Sequence, residues 1–196
     1  RSVRLDVTDP ASAREAIARE RPTHLVHLAA MAAVGAAQHQ PRQAWRVNVD
    51  GTLNVLLAVA EASPETRVLH VSSAEVYGAG FRAGVPLDES AALDPTTVYG
   101  ATKAAADLMV GQMARQGLRA IRLRPHNHTG PGQAAGFVVP DFAAQVARIE
   151  RGEQSPTIRV GNLASARDFL DVRDVVDAYC RAVLRFDALP SGCAIN

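Results

Sequence analysis

Only two cysteines occur in the 196 residues, Cys180 and Cys193, and they match no metal-binding or redox spacing. A disulfide scaffold and a thiolate metal centre are therefore excluded, and both thiols are expected to be reduced and structural. Charge of one sign is also lacking. Twenty-one basic residues face 20 acidic ones, for a net charge of +1, and no block of like charge occurs. A nucleic-acid footprint needs basic residues gathered on one face, so no nucleic-acid partner is expected. The apolar stretches are short and broken by charges, too short to span a bilayer, and no charged-then-apolar leader opens the sequence. No membrane partner is expected, and the cytoplasm is the default location. Internal repeats and low-complexity segments are missing too.

What is present is an ordinary globular balance, 47% hydrophobic and 21% charged, in a length that suits one domain with a small appended lobe. Apolar strands and helices alternate along it. Residues 5–7 read as the end of a strand, 11–20 as a capped helix, 24–30 (HLVHLAA) as a buried strand and 45–62 as a long helix. Residues 67–73 (RVLHVSS) are the next strand, 97–115 a helix, and 119–124 (RAIRLR) a strand stopped by Pro125. Unpatterned apolar strands between helices predict an α/β fold, a doubly wound parallel sheet of Rossmann type. After Pro125 the rhythm changes. Residues 126–136 read as a loop, 137–150 as a helix with Pro140 in its first turn, 158–160 as a short strand, 172–184 as an amphipathic helix and 193–196 as a starting strand. The expected division is a partial dinucleotide-binding domain over residues 1–125 and a partial substrate lobe over 126–196, with 163–185 packing back on the sheet domain. In a sheet of order 3-2-1-4-5-6, a third strand at residues 5–7 leaves the first two strands and the glycine-rich phosphate loop outside this sequence, which then reads as part of a longer one.

Tyr99 and Lys103 stand four residues apart on a predicted helix and share one face. A phenol near pKa 10 is a poor acid or base at neutral pH, but a nearby ammonium favours its phenolate. The pair is suited to moving a proton to or from an alcohol or ketone oxygen, although surface helices carry this spacing by chance. Ser72 and Ser73 end a strand, where functional groups of open parallel sheets collect. Either could hydrogen-bond a substrate oxygen or cap backbone. Glu75 follows as a solvated loop carboxylate or a further acid–base group. His126 and His128 lack a carboxylate or cysteine at ligand spacing, so no metal site is expected.

These residues sit in blocks that together resemble the extended short-chain dehydrogenase/reductase family, the NAD-dependent epimerases, dehydratases and reductases of sugar nucleotides. The blocks are HLAA (27–30), NVDGT (48–52), SAEVYG (73–78), YGATK (99–103), RP (124–125), NHTGPGQ (127–133) and RDFLDVRD (167–174). Within the family the likeness is to the reductases of GDP-linked 4-keto-6-deoxy sugars and the related GDP-mannose dehydratases. The Thr129-Gly130-Pro131-Gly132-Gln133 loop favours the reductases, and Glu75, at a position matching the dehydratases' catalytic glutamate, speaks for the dehydratases. The resemblance implies NADP or NAD as cofactor, a GDP-linked sugar as substrate and a homodimer formed through the helices at 45–62 and 97–115. It implies that Ser73 holds the sugar C4 oxygen, that Tyr99 protonates it, and that Lys103 binds the nicotinamide ribose and tunes Tyr99, with Glu75 as an extra acid–base group. Asp6, Val7, Leu28, Ala29, Ala30, Asn48 and Arg124 fall on the cofactor side. Asn127, Phe137, Val138, Asp141 and Arg167 fall on the substrate side, where Arg167 is suited to phosphate. The alternative of another class is a non-catalytic nucleotide-binding regulatory protein on the same fold, which would not need Ser73, Tyr99 and Lys103 together.

Overall fold

The computed structural model describes residues 2–196. Helix α1 (Pro10–Glu20) starts on Asp9, whose carboxylate accepts the Ala11 N–H at 3.0 Å, with Pro10 at the first helical position. Strand β1 (His24–His27) follows, then helices α2 (Val34–His39) and α3 (Pro41–Trp45), a π-helical turn (Arg46–Asp50) and α4 (Gly51–Ala62). Strand β2 (Arg67–Val71) leads through two 3-10 turns (Ala74–Val76, Gly78–Ala83) to α5 (Val98–Arg115) and β3 (Ala120–Leu123). Beyond them lie β4 (Asn127–Thr129), α6 (Val138–Glu150), β5 (Phe169–Asp171), α7 (Val172–Leu184), a 3-10 turn (Phe186–Ala188) and β6 (Ala194–Ile195).

These elements form two compact units, one comprising Arg1–His126 with Ala178–Asn196, the other Asn127–Asp177. The first holds a parallel four-stranded sheet of order β1-β2-β3-β6. Alternation along β2 and β3 sends Val68 and Ala120 to one face, where they pack with Ala13 and Ile17 of α1, Val55, Leu56 and Val59 of α4, and Val110 and Ala114 of α5. Leu69, Ile121 and Leu123 point to the other face, against Ala182 of α7 and Phe186. The sheet is thus covered on both faces, as the apolar strands require. The second unit holds a parallel pair, β4 with β5, and helix α6.

The structure corrects several expectations. Residues 5–7 form no strand. Their backbone serves turns instead, with the Asp6 carbonyl accepting the Asp9 N–H at 3.1 Å and the Val7 carbonyl accepting Asn54 Nδ2 at 2.9 Å. The strand expected over 24–30 ends at His27. The helix expected over 45–62 is interrupted by the π turn, and α2 before it was not foreseen. Two short strands, β4 and β5, occupy segments without a strand pattern, while 158–160 forms none. There the Gln145 side-chain amide takes the partner strand's place, donating to the Arg159 carbonyl at 3.0 Å and accepting its N–H at 2.7 Å. The chain rejoins the sheet unit at Ala178, within α7, not at residue 163.

One row of the sheet carries an acid sensitivity. Register sets His27 of β1 opposite His70 of β2, and His70 opposite Arg122 of β3. The two imidazole centroids lie 5.7 Å apart, and both side chains are buried. Burial, with the Lys103 ammonium nearby, lowers His27 to about 4 and holds His70 well below its ordinary value. Above pH ~6.5 neither histidine is charged in either state, so their contribution is intact. As pH falls below that, the unfolded chain takes up protons that the folded one refuses. Stability then drops by about 1.4 kcal/mol per pH unit per histidine, down to the folded value of His27. Chemical denaturation at pH 7 and pH 5 should show this loss. His70→Phe should flatten the slope, and an unchanged slope would refute the assignment.

Candidate active site

The C-terminal ends of β2 and β3 lead straight into the expected chemistry. Ser73 begins its 3-10 turn by accepting the Glu75 N–H on its own hydroxyl at 3.2 Å, and the Ala74 N–H donates to the Pro125 carbonyl at 2.9 Å. Helix α5 arrives beside this turn. Thr97 caps it by accepting the Gly100 N–H at 2.9 Å, which fixes Tyr99 in the first turn. The approach is close enough that a Cβ on Gly100 would lie 2.7 Å from the Glu75 carbonyl oxygen. The result is that the Ser73 hydroxyl meets the Tyr99 phenol, with Glu75 close enough to act on it electrostatically.

The charge state of this pair differs from the expectation. Burial raises the Tyr99 phenol above its ordinary value, the Ser73 hydrogen bond opposes this, and the negative Glu75 adds to it. The Lys103 ammonium is not among the groups that lower it; it donates to the Val71 carbonyl of β2. Buried there, Lys103 is itself lowered to about 8. An ammonium has three N–H donors, and among the described residues Val71 takes one of them. A buried cation with donors to spare, one helical turn from a hydroxyl pair, fits the ribose of a nicotinamide cofactor.

Behind the pair lies a polar framework. Asn48, 2% exposed in the π turn, accepts the Met31 N–H at 2.7 Å and donates to the Thr102 hydroxyl at 2.9 Å, which in turn donates to the Tyr99 carbonyl at 2.8 Å. Arg124, expected on the cofactor side, is a buried brace. Its guanidinium donates to both Asp107 oxygens at 2.8 and 3.0 Å, to the Tyr77 hydroxyl at 2.7 Å and to the Glu89 carbonyl at 3.2 Å. With those donors engaged inside the fold, its side chain has no free face for a ligand. Burial would raise the Asp107 carboxyl, but the guanidiniums of Arg124 and Arg122 hold it below the usual carboxylate range.

Two of the other cofactor-side residues also have structural duties. Asp6 accepts the N–H and the hydroxyl of Thr8, which lower its carboxyl. Val7 packs on Gly51, where a Cβ would lie 2.9 Å from Val7 Cγ2. Leu28, Ala29 and Ala30 form the loop leaving β1, with Leu28 exposed. Within the second unit, Asn127 opens β4 and pairs in register with Phe169, two residues after Arg167. Arg167 is exposed and donates to the neighbouring Ala166 carbonyl at 2.8 Å, Phe137 precedes α6, and Val138 is exposed. Asp141 accepts the Gly136 N–H at 2.9 Å and so ties the incoming loop to α6. Sequence reasoning missed Asp107, although it stands four residues beyond Lys103 on the Tyr99–Lys103 face of an otherwise apolar helix.

Sheet order, strand-end serine and the Tyr99–Lys103 helix together give a parallel α/β sheet with its polar side chains gathered at the strand ends. The NAD dependent epimerase/dehydratase family matches residues 1–196, and the chain belongs to it. It is 36% identical to the GDP-6-deoxy-D-mannose reductase of Pseudomonas aeruginosa over 186 residues, 94% of this chain and 61% of that protein. The GDP-6-deoxy-D-talose 4-dehydrogenase of Aggregatibacter actinomycetemcomitans is 30% identical, with 91% of this chain and 58% of that protein matched. A solved structure of RMD from Pseudomonas aeruginosa complexed with NADPH superposes with a TM-score of 0.88 at 34% identity, covering 99% of this chain and 66% of that one. The chain thus spans about 60% of the length of these curated relatives. Among the described residues, no helix is long and apolar enough to cross a membrane.

Proposed function

We propose that the protein containing this chain reduces the C4 keto group of a GDP-linked 4-keto-6-deoxy sugar with NADPH or NADH, as a homodimer in the cytoplasm. The observation that carries the reading is the convergence of the Ser73 hydroxyl, at the turn after β2, with the Tyr99 phenol in the first turn of α5, and Lys103 one turn on. The relatives' names supply the sugar nucleotide, and the NADPH-bound relative supplies the cofactor class. When bound, the nicotinamide supplies the hydride. Lys103 holds the ribose through its unspent N–H donors. Ser73 orients the sugar carbonyl oxygen, and Tyr99 gives it a proton as negative charge develops there. A phenol is in its acid form at neutral pH, as proton donation to the carbonyl oxygen requires. Asn127 and Arg167 are assigned to the nucleotide diphosphate, and Phe137, Val138 and Asp141 to the base. The exposed Leu57 of α4 and Leu108 of α5, 51% and 58% accessible, give the dimer its apolar contact. Offering the 4-keto-6-deoxy sugar nucleotide with NADPH and following loss of reduced cofactor tests the reading. No oxidation of NADPH overturns it.

A GDP-mannose dehydratase is the second reading, and Glu75 is its support. That reaction must also remove the C5 proton and expel the C6 hydroxyl, and Glu75 is a carboxylate acting directly on Tyr99. In a reductase Glu75 only biases Tyr99. Glu75→Gln is then expected to cost the reduction less than about tenfold, well short of the loss of an essential acid or base. It should also shift the alkaline limb of the rate profile to lower pH, because the charge that raises Tyr99 is gone. Conversion of GDP-mannose with oxidised cofactor, abolished by Glu75→Gln, would select the dehydratase.

A further inference from the structure

Tyr179 carries a hydroxyl that makes no hydrogen bond among the described residues. It lies in the half of α7 that packs on the sheet, with its ring against the cluster of Leu69, Ile121 and Leu123. A phenylalanine would fill that place equally well. The phenol oxygen is buried and has no hydrogen-bond partner among the described residues. A buried tyrosine hydroxyl ordinarily finds a partner, and one left without it opposes folding. Its position suggests what the partner is. Leu123 and Val71 end neighbouring strands, the Ser72 N–H donates to the Leu123 carbonyl at 2.7 Å, and Ser73 follows at once. Tyr179 therefore packs beneath the strand end where the Ser73–Tyr99 pair sits, but from the opposite face of the sheet to α5. Its phenol and that of Tyr99 act on each other electrostatically.

We propose that the Tyr179 hydroxyl donates a hydrogen bond to an uncharged oxygen of the reactants held beside Tyr99, either the carboxamide of the nicotinamide or a hydroxyl of the sugar. This rests on the nicotinamide-dependent reading above. The surroundings fit a neutral acceptor, since Leu69, Leu123 and Ile195 line the same cluster and an unpaired phosphate would be stranded there. Burial lifts the phenol to about 12, so it remains a donor across the working pH range and does not compete with Tyr99 for the reacting proton.

Tyr179→Phe in the whole protein removes one oxygen and leaves the packing. Without ligands, its melting temperature should equal or slightly exceed the wild type, because an unsatisfied group is removed. The ligand-bound measurements should weaken by about 3- to 10-fold, the range of one neutral hydrogen bond. If the loss falls on the NADPH dissociation constant, measured by direct titration without sugar, the acceptor is the carboxamide. If it falls on the KM of the 4-keto sugar with NADPH affinity intact, the acceptor is a sugar hydroxyl. Unchanged values for both, in a background where the wild type binds NADPH and turns over, overturn the inference alone. A marked drop in the ligand-free melting temperature overturns it too, since the hydroxyl would then serve the fold. A wild-type protein that binds no NADPH overturns both this inference and the nicotinamide-dependent reading.

Discussion

Tyr99→Phe is expected to lower turnover of the 4-keto sugar by about 10²- to 10⁴-fold while leaving NADPH affinity within a few-fold of wild type. The size follows from what the hydroxyl does. Removing it takes away the proposed proton donor at the developing oxyanion but leaves the ring, the Thr97 cap and the α5 backbone unchanged. Lys103 still donates to Val71 from the next turn, so the group proposed to hold the cofactor is untouched. Retention of more than about a tenth of the wild-type rate would show that another group, with Glu75 the nearest candidate, delivers the proton. The melting temperature should change little, and this separates a chemical defect from a folding one.

The second large effect is structural and sits one turn deeper in the same helix. Asp107 is fully buried and is bonded at 2.8 Å by both Arg122 and Arg124, with Arg124 also buried. Asp107→Ala leaves the Arg124 guanidinium without its counter-charge in a low-dielectric interior. Breaking a buried pair from one side costs about 3–5 kcal/mol. In a chain of this size that lowers the melting temperature by roughly 6–20 °C. Arg124 also donates to Tyr77, whose hydroxyl donates to Asn196 at 2.7 Å, so the loss spreads to the loop after β2 and to the residue following β6. Asp107→Leu combined with Arg124→Leu should regain part of the stability, since Arg124 is no longer stranded, while Arg122 keeps only its bonds to the Gly192 carbonyl. A single-variant loss below about 1 kcal/mol would mean that water reaches the pair and screens it.

The layered architecture was legible because its signals are local and repeated. Apolar runs such as RVLHV, short and rich in β-branched residues, read as buried strands, and α5 and α7 announce themselves by spacing. Tyr99, Lys103, Ser73 and Asn48 could be singled out from the family pattern, and the structure brings the first three to one strand end with Asn48 behind them. What could not be read depends on partners distant in sequence. The π turn at Arg46–Asp50 is invisible to a periodicity count, because one extra residue per turn changes the register without changing composition. Strands β4 and β5 are three residues each and exist only through one another. Arg124 resembled a ligand-facing residue until Asp107, Tyr77 and Glu89 were seen to surround it. The direction of the Tyr99 shift was misread because helical spacing says that Lys103 is near, but not that its ammonium points to Val71.

The near-contact at Gly100 has a consequence for motion. Because the α5 backbone there has no room for a side chain against the Glu75 carbonyl, the strand-end turn and the helix touch main chain to main chain. No flexible side chain therefore stands between the backbone that carries Ser73 and the backbone that carries Tyr99. When the helix rocks, the turn rocks with it, so the two backbone anchors drift together. Warming should broaden the positions of both relative to the rest of the sheet well before it broadens the gap between them.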